Sequence, residues 1–388
     1  MFKILTLNNI SVTGLDRLPR ENYEIASEIQ HPDAVLVRSF KMHDWDVPES
    51  LQAIGRAGAG VNNIPVEEMT TRGIPVFNAP GANANAVQEL VLTGMLLSAR
   101  NICPAWEFAK QLEGDDSEIS KQVEAGKKNF VGFELPGKTL GVIGLGAIGI
   151  KIANTAIALG MRVIGYDPKI TVQSAWKLSH EVEQATSVDD LLTHCDFVTF
   201  HVPLIEATKN MINADRLANM RDNVTILNFA RSGIVNDEAV VAALDSGKVN
   251  AYVCDFPSNL LKQHPKVIAL PHLGASTAEA EDNCAIMVAE QVKDYLENGN
   301  ITNSVNFPSI KMRKQADQFR LTVAHENVPN ILSSVTNAIA KVDINIVDML
   351  SKSLNDAAYT LIDIEAPLAE STQDEIKAIE GVLNVRCL

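Results

Sequence analysis

The stretch that decides the fold is Leu140-Gly-Val-Ile-Gly144-Leu-Gly146-Ala-Ile-Gly149, followed by Ile150–Leu159 and then by Arg162-Val-Ile-Gly-Tyr166-Asp167. An apolar run, a GxGxxG turn, a helix-compatible segment and a second apolar run ending in an acid make one strand–turn–helix–strand unit. Gly144 suits the tight turn, Gly146 lets an anionic group approach the backbone, and Gly149 lets helix and strand pack closely. The following helix start, with Ala147 and Ile148, offers free N–H groups and a partial positive charge to phosphates. Asp167 lies 18 positions past Gly149 (167 − 149), near the ~20 expected for the acid that binds an adenosine ribose. Its carboxylate disfavours a 2′-phosphate, so NAD is expected over NADP, with Lys169 nearby weakening that preference. A glycine-rich turn without a ligand is the plainer alternative, and the full strand–helix–strand–acid context argues against it.

Working outward, strand-like runs alternate with helical patterns over most of the chain. Ile4–Leu7, Ala34–Arg38, Ala53–Gly55 and Pro75–Asn78 are predicted strands, and Ala86–Arg100 an amphipathic helix. Residues 112–134 are charged and poor in aliphatic side chains, and read as an exposed connection. Alternation resumes with strands at Leu140–Ile143, Arg162–Tyr166, Phe197–His201, Thr225–Asn228, Ala251–Cys254 and Val267–Leu270. The order predicts two doubly wound parallel α/β sheets, of Rossmann and flavodoxin-like type. After Pro308 the pattern becomes βαββαβ. Its strands are Phe319–Ala324, Ile344–Leu350, Ala358–Ile364 and Val382–Cys387, and its helices Pro329–Ala340 and Thr372–Ile379, a small ferredoxin-like α+β domain.

Bulk properties narrow the function. The 388 residues carry 33 Lys plus Arg against 48 Asp plus Glu, a net charge of −15, so no nucleic-acid or anionic-membrane partner is expected. The apolar stretch Leu140–Gly165 is interrupted by glycines, Lys151, Asn154 and Arg162, and reads as strand, turn and helix, with no membrane span expected. Cysteines 103, 195, 254, 284 and 387 are scattered and never form CxxC, which suits a reducing compartment; a cytoplasmic location is expected. No close His/Cys/Asp spacing suggests a metal.

Three further segments fall at predicted strand ends: His201-Val202-Pro203, Ala230-Arg231 and Pro271-His272-Leu-Gly274. An arginine can clamp a carboxylate through two N–H groups and polarise a neighbouring oxygen. A histidine can take up a hydroxyl proton near neutral pH. Alone, His272 reads as an ordinary loop histidine and Arg231 as a surface arginine; downstream of a dinucleotide fingerprint, the pair suits oxidation of a 2-hydroxy acid.

At these residues the chain resembles the D-2-hydroxyacid dehydrogenase family. The resemblance runs from Lys3 to about Phe307 and rests on GRAGAGVNNI, NAPGANANAVQELV, GVIGLGAIG, FHVPL, NFARSG and LPHLGAST. GRAGAGVNN and NAPGANANAV look most like the phosphoglycerate dehydrogenases within it. The resemblance implies a discontinuous substrate-binding domain, residues 1–95 and 280–310, around an NAD-binding domain of residues 96–279. It implies catalytic Arg231 and His272, with Ala230 and Asp255 near the nicotinamide, His201-Val202-Pro203 beside the adenosine, and Ala59 and Gly60 at the substrate carboxylate. Arg38, Ser39 and Arg56, at ends of N-terminal strands, are candidate contacts for a substrate phosphate, each with an ordinary surface or ion-pair role as the alternative.

Residues 317–388 resemble an ACT domain, a small ligand-sensing module. His325, Asn327 and Asn345 match segments that bind serine in phosphoglycerate dehydrogenases, although all three also suit plain turn and cap roles. The resemblance implies a homodimer or homotetramer. Departures accompany it: Asn330 replaces a usual glycine, Asn62 a frequent aspartate, and Ser232 and Asn236 the glycine and aspartate after the arginine. The glutamate that usually partners the histidine is missing from Asp255-Phe-Pro-Ser-Asn259, so His272 is expected to titrate lower than in relatives that have it. The expected reaction is NAD-dependent oxidation of 3-phospho-D-glycerate, the first step of serine biosynthesis. A glyoxylate or hydroxypyruvate reductase, and an NAD-sensing binding protein without turnover, remain the alternatives.

Overall fold

The structure is a computed structural model and describes residues 1–315 and 318–388. The expected first residue of the C-terminal domain, 317, lies outside the described residues. The chain folds into two compact units, residues 1–83 with 277–388, and residues 84–276.

The first unit opens with β1 (Phe2–Leu7), α1 (Val12–Leu15), β2 (Tyr23–Ala26), β3 (Ala34–Val37), β4 (Ala53–Arg56), α2 (Val66–Thr71) and β5 (Val76–Phe77). These strands form an all-parallel sheet in the order β2-β1-β3-β4-β5, the flavodoxin-like arrangement expected from the sequence. Ala34–Val37 is buried on both faces, as the centre of a parallel sheet requires.

The second unit begins with α3 (Ala84–Ala99), α4 (Ile102–Lys110) and α5 (Asp116–Gly126). Then come β6 (Thr139–Ile143), α6 (Ala147–Ala158), β7 (Arg162–Tyr166), α7 (Val172–Ala175), β8 (Glu183–Gln184), α8 (Val188–His194) and β9 (Phe197–Phe200). It closes with α9 (Ala214–Asn219), β10 (Val224–Asn228), α10 (Asp237–Asp245), β11 (Val249–Cys254) and β12 (Val267–Ala269). The seven parallel strands run β12-β11-β10-β9-β6-β7-β8, so the order reverses between β6 and β9. Such a switch point opens a crevice at the carboxyl ends of the strands. β6, β9 and β10 are buried along their whole length.

The chain re-enters the first unit through α11 (Ala278–Asn298), capped by the Thr277 side chain and ended by left-handed Gly299. The C-terminal module follows: β13 (Phe319–Glu326), α12 (Ile331–Ala340), β14 (Ile346–Leu354), β15 (Ala357–Ile364), α13 (Glu370–Lys377) and β16 (Val382–Cys387). Its sheet is antiparallel in the order β14-β15-β13-β16, the ferredoxin-like arrangement. One apolar cluster runs through the first sheet (Ile4, Leu36, Phe77), α11 (Val288, Val292, Tyr295) and the module (Tyr359, Leu361). Arg320, fully buried, bonds both carboxylate oxygens of Asp363 at 2.6 and 2.8 Å and the carbonyls of Asn298 and Met312. Arg386 donates to the carbonyls of Tyr295 and Leu296. Two cations thus satisfy last-turn carbonyls of α11, where the helix dipole is negative.

Residues 112–134 correct the sequence reading: α5 and a 3₁₀ turn at Lys127–Phe130 lie within the expected connection. The helix start is a reciprocal capping box, Asp115 with Glu118, which takes the place of a strong apolar stripe. Among the described residues no helix is long and apolar enough to cross a membrane, and no group of three or more His, Cys, Asp or Glu could hold a metal ion.

Candidate active site

Six motif segments follow the carboxyl ends of consecutive elements of the seven-stranded sheet: Gly144 after β6, Asp167 after β7, His201 after β9, Ala230 after β10, Asp255 after β11 and His272 after β12. At the glycine turn, Gly144 has φ +94°, and a Cβ there would stand 2.4 Å from the His201 carbonyl oxygen. A Cβ on Gly149 would stand 1.9 Å from the Gly144 oxygen, whereas one on Gly146 meets no atom within 4 Å. The first and third glycines therefore permit backbone packing, and the second faces open space. Gly146 is the N-cap of α6 and no side chain caps the helix, leaving the first turn (Ala147, Ile148, Gly149) able to serve an anion.

Asp167 accepts hydrogen bonds from the Leu145 N–H through Oδ2 and from the Lys169 N–H through Oδ1, both at 2.9 Å. The carboxylate is thereby fixed beside the glycine turn with lone pairs remaining for ribose hydroxyls. Across the switch point, His201 donates its N–H to the Ile143 carbonyl, and its Nε2 lies 2.9 Å from the Thr199 hydroxyl. Burial of the ring pushes its pKa down to about 3, so it is neutral at pH 7. The Thr208 hydroxyl ties down the Pro203 carbonyl at 2.6 Å, holding the His201-Val202-Pro203 loop in place.

At the other end of the sheet, a cavity of about 700 Å³ is lined by residues that include Asn236, Asp237, Tyr252, Asp255, Phe256 and His272. Buried Asn228, which the sequence reading left out, shapes the approach to it: its Oδ1 accepts from the Ala230 N–H and its Nδ2 donates to the Arg231 carbonyl at 3.0 Å. The exposed Arg231 guanidinium donates to the Ala230 carbonyl at 2.7 Å. The exposed His272 ring packs on Phe256, centroids 5.0 Å apart. Asp255 is 1% exposed, and neither carboxylate oxygen has a hydrogen-bond partner among the described residues. Burial raises its pKa, opposed first by the charge of His272 and also by Arg231. The structure brings Arg231, His272 and Asp255 into one electrostatic cluster; Asn259 is exposed. A buried carboxylate with two free oxygens fits a ligand that brings N–H donors, such as a carboxamide.

In the first unit, Arg38 and Arg56 stand at the ends of adjacent β3 and β4 and both draw down the pKa of Cys284 on α11 against the effect of burial. Arg38 is paired with Glu281 at 2.6 Å. The Arg56 guanidinium lies over Gly58, where a Cβ would meet its Nη1 at 1.6 Å. The Ser39 N–H is held by Asn8 Oδ1, the exposed Ala59 accepts from Asn78 Nδ2 at 2.6 Å, and half-buried Gly60 follows.

In the C-terminal module, His325 is buried: Nδ1 donates to the Glu326 carbonyl and Nε2 bonds the Thr360 hydroxyl. Burial lowers its pKa, opposed by the bond to the Glu326 carbonyl. Exposed Asn327 donates to the Asn355 carbonyl, and Asn345 to Glu365. Asn330 sits at φ +73° before α12, a conformation that suits the glycine it replaces.

Residues 94–274 match the family model described as D-isomer specific 2-hydroxyacid dehydrogenase, NAD binding domain. The chain belongs to this D-2-hydroxyacid dehydrogenase family, and the matched region is its NAD-binding domain. Among particular relatives, it is 38% identical over 343 residues to the D-3-phosphoglycerate dehydrogenase of Methanocaldococcus jannaschii, covering 86% of this chain and 63% of that one. It is 33% identical over 350 residues to the D-3-phosphoglycerate dehydrogenase of Haemophilus influenzae, covering 87% of this chain and 81% of that one. This chain thus spans less than two-thirds of the archaeal relative's length. The NAD+-bound 3-phosphoglycerate dehydrogenase of Entamoeba histolytica superposes with a TM-score of 0.60 at 25% identity, over 79% of this chain and 98% of that one.

Proposed function

We propose that the chain oxidises 3-phospho-D-glycerate to 3-phosphohydroxypyruvate with NAD, the first step of serine biosynthesis. The observation that carries the proposal is the grouping of Arg231 and His272 about buried Asp255 at the strand ends of the NAD-binding sheet. The choice of substrate is supported by the relatives' names. Gly144, Gly146 and Gly149 with the first turn of α6 would hold the pyrophosphate, Asp167 the adenosine ribose, and Ala230, Asp255 and Gly274 the nicotinamide end. Bound there, NAD supplies the acceptor for the C2 hydride. Arg231 would clamp the substrate carboxylate and polarise the C2 oxygen through its planar fork. His272 would take the hydroxyl proton, so that the alcohol loses a proton and a hydride and becomes the ketone. Ala59 and Gly60 are proposed to meet the carboxylate through backbone N–H groups, and Arg38, Ser39 and Arg56 the phosphate.

A second reading, an unphosphorylated substrate as in glyoxylate or hydroxypyruvate reductases, is favoured by one observation: Arg38 already has a carboxylate partner in Glu281. Rates of NADH formation with 3-phospho-D-glycerate and D-glycerate separate the two. A preference of at least ten-fold for the phosphorylated acid is expected; the reverse preference overturns the substrate assignment. Serine is proposed as an effector of the C-terminal module, through Asn327 and Asn345 with His325 shaping the site from below. It is allosteric only if serine binds the active and inactive states differently. A homodimer or homotetramer is proposed as the assembly.

A further inference from the structure

Arg38 directly follows β3, and Arg56 ends the adjacent strand β4, opposite Val37. The backbone around Arg38 is clamped on both sides. Asn63 Nδ2 donates to the Phe40 carbonyl at 2.8 Å and to the Arg38 carbonyl at 3.4 Å, while Asn8 Oδ1 accepts from the Ser39 and Phe40 N–H groups. Only the side chain is left to change partners. Its guanidinium pairs with Glu281, in the first turn of α11, at 2.6 Å. The next acid on the helix, Asp282, is engaged by the Ser11 and Thr13 hydroxyls. The Arg38 and Glu281 side chains are 37% and 42% exposed, and an ion pair so open to water is weak and within reach of a dissolved anion.

We propose that Glu281 is a specificity-determining residue: it is the resident counter-ion of Arg38, which a phosphomonoester dianion displaces and an uncharged substrate end does not. The role rests on the dehydrogenase reading above and deepens it.

The chemistry of the exchange favours phosphate. A guanidinium fork accepts carboxylate or phosphate in the same planar geometry, so one oxyanion can replace the other without moving the strand. A phosphomonoester brings about −1.5 to −2 charges near neutral pH and three acceptor oxygens, against one charge and two oxygens on Glu281. Arg56 adds a second cation to the same place. Burial pushes the Cys284 thiol up, Arg56 and Arg38 pull it down, and Glu281 pushes it up, so two cations and one acid converge on that point of α11. A C3 hydroxyl, as in D-glycerate, carries no charge and leaves the pair closed. The Arg38–Glu281 contact then acts as a filter that opens to a doubly charged group.

The test is binding of inorganic phosphate to the full chain, followed by phosphorus NMR, together with KM for 3-phospho-D-glycerate and D-glycerate. Glu281→Gln keeps the shape of the side chain and removes its charge. Phosphate should bind it about two- to five-fold more tightly, the weight of an exposed pair. KM for 3-phospho-D-glycerate should fall by a similar factor, and KM for D-glycerate should move less. Glu279→Gln removes one charge from the same turn and should change phosphate binding less. Arg38→Gln should weaken phosphate at least ~10-fold, and adding Glu281→Gln to it should bring no gain, since the two effects act through one guanidinium. Equal or weaker phosphate binding in Glu281→Gln overturns the proposal and marks Glu281 as a prop for Arg38. So does an equal gain in Glu279→Gln, a gain that survives in Arg38→Gln, undiminished phosphate binding in Arg38→Gln alone, or an unmoved KM for 3-phospho-D-glycerate in Glu281→Gln. Phosphate binding needs no turnover, so a chain that gives the expected phosphate results without oxidising 3-phospho-D-glycerate refutes the reaction and keeps the counter-ion.

Discussion

Adding one methyl group at either of two glycines, three residues apart, should have opposite consequences. In Gly149→Ala the new Cβ stands 1.9 Å from the Gly144 carbonyl oxygen, and reaching even 3.0 Å requires a shift of 1.1 Å (3.0 − 1.9) between two backbone segments. Overpacking of this kind costs about 1–3 kcal/mol. For a unit of 193 residues (276 − 84 + 1), each kcal/mol moves Tm by about 2–4 °C, so a drop of about 2–12 °C is expected. In Gly146→Ala the Cβ meets nothing within 4 Å, and φ −80° with ψ −161° is open to alanine. Its cost as an N-cap change is below about 1 kcal/mol. The methyl instead occupies the space assigned to pyrophosphate, and NAD should bind at least ~10-fold more weakly, a loss of about 1.4 kcal/mol. Thermal melts and NAD titration by protein fluorescence read the two effects separately. Wild-type NAD affinity in Gly146→Ala, or a wild-type melt in Gly149→Ala, refutes the reading of the turn.

Further expectations follow from the same structure. Arg231→Lys keeps the charge but loses the planar fork, and kcat/KM should fall by about 10²-fold with NAD affinity unchanged. Because burial raises the Asp255 pKa in the folded state, deprotonation of that group disfavours folding as pH rises; Asp255→Asn should therefore gain Tm at pH 8, with the gain shrinking as pH falls into the carboxyl range, and a constant difference counts against the assignment. Arg320→Ala strands Asp363 in the interior and should cost about 3–5 kcal/mol in denaturant melts. Asn259→Glu, which puts a carboxylate back in the segment where the family's glutamate usually stands, should raise the histidine limb of the pH–rate profile, and no upward shift counts against that expectation. Serine should slow NADH formation by wild type and not by Asn345→Ala; an effect on neither leaves the module without that effector.

Much of this was legible in the chain. The central strands β6, β9 and β10 announce themselves because a parallel strand covered on both faces must be apolar throughout. Two edge strands were not: β2 and β8 are short, and both residues of Glu183–Gln184 are exposed. Strand β14 runs on to Leu354, past the predicted end at Leu350, because Ser351-Lys352-Ser353 lies on an edge strand and carries no apolar signal. Helix α5 was hidden for a related reason, although Asp115 and Glu118 spell its capping box. At the site, Arg231 and His272 could be picked out as residue types at strand ends, and Asp255 only through the family resemblance. Their mutual electrostatics could not, since burial of Asp255 and the path of the Gly274 loop exist only in three dimensions. The same holds for Asn228: an asparagine at a strand end carries no signal until its amide is seen bonding Ala230 and Arg231.

The most direct trial of the enzyme assignment is NADH formation from 3-phospho-D-glycerate by the wild-type chain and by His272→Gln, each with its NAD affinity measured alongside. The account predicts turnover by the wild type and a loss of at least about 10²-fold in kcat/KM for the variant, with NAD bound equally by both. Absence of wild-type turnover despite bound NAD, or full activity without the imidazole, would contradict it.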